Sequence, residues 1–156
     1  DTNILISASI SKGKPRALLI KGIGNEFIIV ASKQLMKELK KVLTRPKFNL
    51  SQSEITKFLS TIKRTVKLVK IKSDFNVIKN DPDDNMVINT AYDAKANYIV
   101  TGDPDLLDLK EFRGIKIVKP IDFLKDPYVL EFLDETFYSA GKIGFCAQYR
   151  WQGGKS

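Results

Sequence analysis

Short apolar runs alternate along this chain with segments whose apolar residues recur at helical spacing, and that alternation leaves few folds open. Phe27-Ile28-Ile29-Val30 is a continuous apolar run, consistent with a strand buried on both faces. Ser32 then stands as an N-cap before Leu35, Met36, Leu39, Val42 and Leu43, a helical pattern that Pro46 ends. Ser51-Gln52-Ser53-Glu54 has the form of a capping box and precedes Ile55, Phe58, Leu59 and Ile62, again at helical spacing. Val66 to Ile71 alternates apolar residues with lysines, as a half-exposed strand does. Asp81-Pro82-Asp83-Asp84 is a turn into a helix through about Ala96, with Met86, Val87, Thr90, Ala91 and Ala94 inward. Tyr98 to Thr101 and Ile115 to Val118 read as two further buried strands around a short helical turn at Leu106-Leu107. Pro120 opens a last helical region, Ile121 to Leu124 and then Pro127 to about Tyr138. Near the start, Ile4 to Ile6 read as the end of a strand or the turn leaving one, and Pro15 opens a helix that stops near Gly22 and Gly24.

Strands alternating with helices predict a three-layer α/β/α fold around a mostly parallel sheet. At 156 residues the chain is expected to hold one principal domain. No apolar run is long enough to span a bilayer. The single cysteine, Cys146, excludes an internal disulfide and a cysteine zinc site, so a reducing cytoplasm is the expected compartment.

In a sheet of this kind ligands bind beyond the carboxyl ends of the strands. Asp103 follows the run Tyr98 to Gly102 and belongs at that edge. Asp84 lies in the first turn of a helix that has just crossed it. Glu38 falls about two turns into its helix and reaches the edge only if that helix packs across the mouth. Asp1 precedes Ile4-Leu5-Ile6 and should follow a strand: either the sequence lacks that strand or another segment fills its place. The loosely alternating stretch Gly141 to Tyr149 is a candidate. Each acid has a plainer reading: Asp84 as a helix cap, Glu38 as a partner of Lys37 or Lys41, Asp103 and Asp105 as turn residues, and Asp1 as a disordered terminus.

The charge is unevenly spread. From Lys33 to Lys79 there are 13 Lys and Arg against 3 Asp and Glu, a net of +10, whereas Asp81 to Glu111 holds 2 basic and 8 acidic residues, a net of −6. A basic segment beside an acidic one suits an enzyme that holds phosphates with one and metal ions with the other; the alternative is two solvated faces. Lys33, Lys37, Lys40, Lys41 and Arg45, with Lys47, offer a track for a phosphodiester backbone. Phe48 and Phe58, the aromatics nearest to it, fit core spacing, so phosphate contacts are expected more than base reading. Leu35, Leu39 and Val42 could serve the core or a dimer interface.

With no histidine in the chain, hydrolytic chemistry would fall to carboxylates and hard cations. Crowded carboxylates raise one another's pKa until a cation relieves the repulsion.

Taken in order, these pieces resemble the PIN-domain nucleases. Asp1-Thr2-Asn3 looks like the family's opening motif, and Ser32 to Leu39 resembles the helix presenting its second acid. Asp81 to Ala91 is similar to the third-acid helix, and Tyr98-Ile99-Val100-Thr101-Gly102-Asp103-Pro104-Asp105 to the fourth-acid strand and turn. The likeness spans about Asp1 to Leu124, which implies a principal domain over 1–125 with a C-terminal helix and tail over 126–156, and its nearest subgroup is the prokaryotic toxins of toxin–antitoxin pairs. It implies a Mg2+- or Mn2+-dependent endoribonuclease with one or two ions held by Asp1, Glu38, Asp84 and Asp103. Asp105 would join directly or through water, and Asn3 and Thr101 would orient the groups around the site. The implied partners are RNA, a cognate antitoxin and a second copy of the chain. The competing expectations are an inactive PIN-like module that binds RNA or protein, and an acidic phosphotransfer domain of receiver type.

Overall fold

The computed structural model describes residues 28–119, 122–123 and 146–148. The expectations for 1–27, for Pro120 and Ile121, for 124–145 and for 149–156 lie outside the described residues. Strand β1 (Ile28–Ser32) passes directly into helix α1 (Lys33–Leu43), and Ser32 ends one and starts the other: its backbone is extended and its hydroxyl accepts the Leu35 N–H at 3.2 Å. Helix α1 closes at Thr44, before a short 3-10 turn at Pro46–Phe48. The predicted capping box opens helix α2 (Gln52–Thr65): Ser51 Oγ accepts the Glu54 amide at 3.2 Å, and the Glu54 carboxylate accepts the Ser51 amide at 2.8 Å. Strand β2 (Lys67–Val69) follows.

Helix α3 (Asp84–Asp93) ends earlier than the sequence pattern predicts. Lys95 takes a left-handed conformation at φ 54°, the Ala96 amide reaches back to the Ala91 carbonyl, and the apolar residues beyond Asp93 pack without being helical. Strand β3 (Tyr98–Val100), helix α4 (Pro104–Leu109), strand β4 (Glu111–Phe112) and strand β5 (Ile115–Val118) complete the run. The β4–β5 hairpin turns on Arg113 and Gly114, at φ 48° and 83°. A two-residue hairpin loop with both central residues at positive φ matches the strand twist. A last strand, β6, covers Cys146–Gln148.

The sheet order is β2-β1-β6-β3-β5-β4. β1 pairs parallel with β2 and β3 with β5, while β6 lies between β1 and β3, antiparallel to both. Hence β1, β2, β3 and β5 all point one way, and their carboxyl ends share one edge. Alternation along the strands sorts the core into two layers. Ile29 and Ala31 of β1, with Tyr98 and Val100 of β3, face Leu39, Val42 and Leu43 of α1 and Ile55, Phe58 and Ile62 of α2. Val30 and Ile99 face the other way, onto Val87, Ile88 and Ala91 of α3 and Leu106 of α4. The result is the expected three-layer α/β/α fold. Each fully buried aliphatic side chain in it contributes roughly 1.5–3 kcal/mol.

Two details position the site. Leu35, in the first turn of α1, packs with the α3 layer, whereas Leu39, Val42 and Leu43 pack with the α2 layer. Helix α1 therefore starts across the carboxyl edge of the sheet. There the Thr90 hydroxyl of α3 donates to Ser32 Oγ at 3.0 Å, with both residues fully buried, and this ties α3 to the end of β1.

Candidate metal centre

The approach to α3 is built from side chains that the sequence reading left out. Residues 72–78 run extended along the helix and are held by three of its polar residues at i, i+4 and i+8. Asn85 Oδ1 accepts the amides of Val77 and Ile78 at 2.8 and 2.9 Å, and its Nδ2 donates to the Ile78 carbonyl at 2.7 Å. Asn89 accepts the Phe75 amide at 2.8 Å and donates to the Phe75 carbonyl at 2.9 Å. Asp93 accepts the amides of Lys72 and Ser73 and the Ser73 hydroxyl. Four helical residues rise about 6 Å and two extended ones about 6.6 Å, so the two repeats stay nearly in step. Burial opposes the charge on Asp93, but the Lys72 and Ser73 amides and the Ser73 hydroxyl outweigh it and hold its carboxyl below the usual carboxylate range. The chain then reaches Ile78 and the turn before Asp84.

That turn matches expectation. The amides of Asp84 and Asn85 donate to the carbonyls of Asp81 and Pro82, each at 3.2 Å, and the Asp81 carboxylate accepts the Asp83 amide at 3.0 Å. Asp84 is thereby fixed as the first residue of α3, half-buried. Its Oδ2 is enclosed and has no hydrogen-bond partner among the described residues. On the far side of the edge, the chain leaves β3 through buried Thr101, whose hydroxyl accepts the Asp103 amide at 3.0 Å. Asp103 caps α4 by accepting the Asp105 amide at 2.9 Å, so the turn-residue reading of Asp103 holds alongside any other role. Asp105 in turn accepts from Asn80 Nδ2 at 3.2 Å.

These turns bring Asp84, Asp103 and Asp105 together, each half-buried, with one carboxylate oxygen from each within 4.8 Å of the others. Burial and the neighbouring carboxylates of Asp103, Asp81 and Asp105 push Asp84 up to about 7. The crowding expected from the sequence is present, but burial is the larger cause. The positive end of α3 would favour a carboxylate at this position, and it does not prevail over these two effects. A cluster of hard oxygen donors, one of them enclosed and unsatisfied, fits a hard divalent cation.

Glu38 is outside that trio. It is half-buried on the wall of a groove of about 590 Å³ between α1 and α3, facing Asp83 and Met86 and flanked by Lys37, Lys40, Lys41 and Thr44. Asp1 and Asn3 lie outside the described residues. Lys33, Lys37, Lys40, Lys41 and Arg45 are all exposed, and of these Lys37, Lys40 and Lys41 line the groove. Phe58 is buried and Phe48 packs on the core, so neither offers a face for base stacking. Leu35, Leu39 and Val42 are buried within the single chain, which assigns that stripe to the core.

A family model described as PIN domain matches residues 1–105 of the sequence. The chain belongs to the PIN domain family. A curated relative, the uncharacterized protein MJ1680 of Methanocaldococcus jannaschii, is 32% identical over 139 residues, covering 86% of this chain and 88% of the relative. No solved structure matches. PIN domains are generally metal-dependent nucleases that act on nucleic acid, and the carboxylate cluster of this PIN domain suits that chemistry. Among the described residues no helix is long and apolar enough to cross a membrane.

Proposed function

We propose that this PIN domain is an endoribonuclease dependent on Mg2+ or Mn2+, hydrolysing RNA phosphodiester bonds in the cytoplasm as the toxin of a toxin–antitoxin pair. The observation that carries the reading is the trio Asp84, Asp103 and Asp105 at the carboxyl edge of the sheet, with one enclosed oxygen of Asp84 unsatisfied among the described residues. Asp84 and Asp103 would hold the ion, with Asp105 in direct or water-mediated support. Asp1 would complete the set from the opening motif, and Glu38 would act from the groove wall. Bound there, a divalent cation would supply a coordinated water of lowered pKa and charge stabilisation at the scissile phosphate.

The chain's own residues do the rest. Asp84, raised to about 7, gives up its proton near neutrality, so a cation held there would compete with that proton. Thr101 holds the Asp103 amide, and Asp103 holds the Asp105 amide, so the second pair of acids is set by backbone contacts, not by the ion. Asn3 would orient Asp1. Lys33, Lys37, Lys40, Lys41 and Arg45 would hold the RNA backbone near the groove. A cognate antitoxin would block the acidic site, and a second copy of the chain would pair with it through a surface other than the buried Leu35 stripe.

The test is cleavage of generic RNA in Mn2+ by the wild type and by Asp84→Asn. Loss of at least a hundredfold in the variant is expected, because the negative charge that would hold the ion is gone. Equal activity in both would remove Asp84 from the mechanism. No cleavage by the wild type across several RNAs and metals would leave a PIN domain that binds without cutting.

A further inference from the structure

A second groove, of about 430 Å³, lies on the other side of α1, between α1 and α2. Its walls are two helical stripes facing each other. Helix α1 supplies Lys33, Lys37 and Lys40 at i, i+4 and i+7, around half-buried Met36. Helix α2 supplies Gln52, Thr56, Ser60 and Lys63, around half-buried Leu59. Four lysines and two hydroxyls thus line a channel whose walls, among the described residues, contain no carboxylate. The α1–α3 groove differs, because Glu38 and Asp83 share it with the lysines. Lys37 and Lys40 line both, so they form the ridge over which one groove leads to the other. The second groove adjoins the first, and the first has Asp83, the chain neighbour of Asp84, in its wall.

We infer that the α1–α2 groove seats the phosphodiester backbone of a bound single strand beyond the cleavage site, with Lys63, Thr56 and Ser60 of α2 as contacts additional to the α1 lysines. The inference rests on the nuclease reading and gives it a path. The strand enters over the mixed groove, where the acids repel phosphate away from the wall, crosses the Lys37–Lys40 ridge and lies in the lysine-lined groove beyond it. The lining favours backbone contacts over base stacking, because it offers ammonium and hydroxyl donors and, among the described residues, no aromatic face. An acidic protein segment is the rival occupant.

The experiment compares Lys63→Glu with Lys57→Glu, which makes the same charge change at an exposed position of α2 outside the groove. Affinity for a fluorescein-labelled uridine 20-mer is read by anisotropy over a salt series in Ca2+, and cleavage of the same 20-mer and of a uridine tetramer is read in Mn2+. Lys63→Glu is expected to weaken 20-mer binding several-fold and make the salt slope shallower by about 0.7, the loss of one single-strand phosphate contact. Its tetramer cleavage should equal that of the wild type, and Lys63→Arg should restore 20-mer binding. Lys57→Glu should change slope and affinity far less. Equal effects of Lys63→Glu and Lys57→Glu, or none from either, would overturn the inference and leave the groove to an acidic protein partner. A wild type that binds the 20-mer with the expected Lys63 dependence but cuts neither substrate would refute the nuclease reading and keep the groove.

Discussion

Replacing Asp84 by asparagine should stabilise the metal-free protein at neutral and alkaline pH and abolish its response to Mn2+. Asp84 is an acid whose folded pKa is raised, from the usual 3.8 to about 7, by burial and by its carboxylate neighbours. In the window between those values the native state binds a proton that the unfolded chain has released. The stability contributed by this group is therefore fully present below about pH 4 and is lost progressively as pH rises through about 7. Taken at face value, a shift of this size corresponds to roughly 4 kcal/mol at about 1.36 kcal/mol per pH unit. Asp84 is only half-buried, so solvent screening reduces that to on the order of 1–2 kcal/mol. In a domain of this length that is a fall of about 3–6 °C in Tm between pH 4 and pH 8.

The assay is thermal unfolding in EDTA across that range, for the wild type and Asp84→Asn. The asparagine variant keeps the carboxyl's size and loses the titration, so its curve should lack this component and lie above the wild type at pH 8. Adding Mn2+ at about a hundredfold over its dissociation constant should then raise the wild type by about 2.7 kcal/mol and leave the variant nearly unmoved. The wild-type gain should grow from pH 5 to pH 7, as the competing proton leaves. Superimposable pH curves for the two proteins in EDTA would refute the reasoning, because they would mean that Asp84 carries no raised pKa and the trio no stored repulsion.

Asn89→Ala removes both partners of the Phe75 backbone and should cost about 2–3 kcal/mol, with amide exchange accelerated at Phe75, Val77 and Ile78 before the rest of the chain. Intact protection of those three amides would show that the segment is held by something other than the asparagine ladder. Leu39→Ala, at a fully buried position, should cost roughly 3–4 kcal/mol in urea unfolding; a cost below about 1 kcal/mol would mean that the α1–α2 layer collapses around the deletion.

What the sequence made legible follows from which interactions are local. The caps of α1 and α2 are contacts three residues apart, so Ser32 and the Ser51–Glu54 box could be read directly, and the structure contains both. The three-layer architecture was legible for the same reason, since period-two and helical patterns record which face is buried. Asn85 and Asn89 were invisible to that logic. Polar residues on a helix read as solvated, and nothing local signals an extended segment up to fourteen residues upstream that needs their amides. Their spacing with Asp93 was the available signal, and it has meaning only once an extended partner of matching rise is considered. β4 was missed because a two-residue strand carries no periodicity, and for the slot between β1 and β3 the sequence offered Gly141 to Tyr149 only as one candidate, because β6 comes from the far end of the chain.

The acids divide along the same line. Asp103 and Asp105 are placed by turn contacts that their own sequence encodes, and Asp84 by a turn that begins at Asp81. Glu38 has no such local determinant. Its place depends on where α1 crosses the edge, which is fixed by Leu35 reaching the α3 layer and by the buried Thr90–Ser32 hydrogen bond. A carboxylate set by its own turn can be assigned from sequence, whereas one carried by a packed helix needs the packing first. That is why Asp84, Asp103 and Asp105 lie within ligand distance of one another while Glu38 faces the groove beside them.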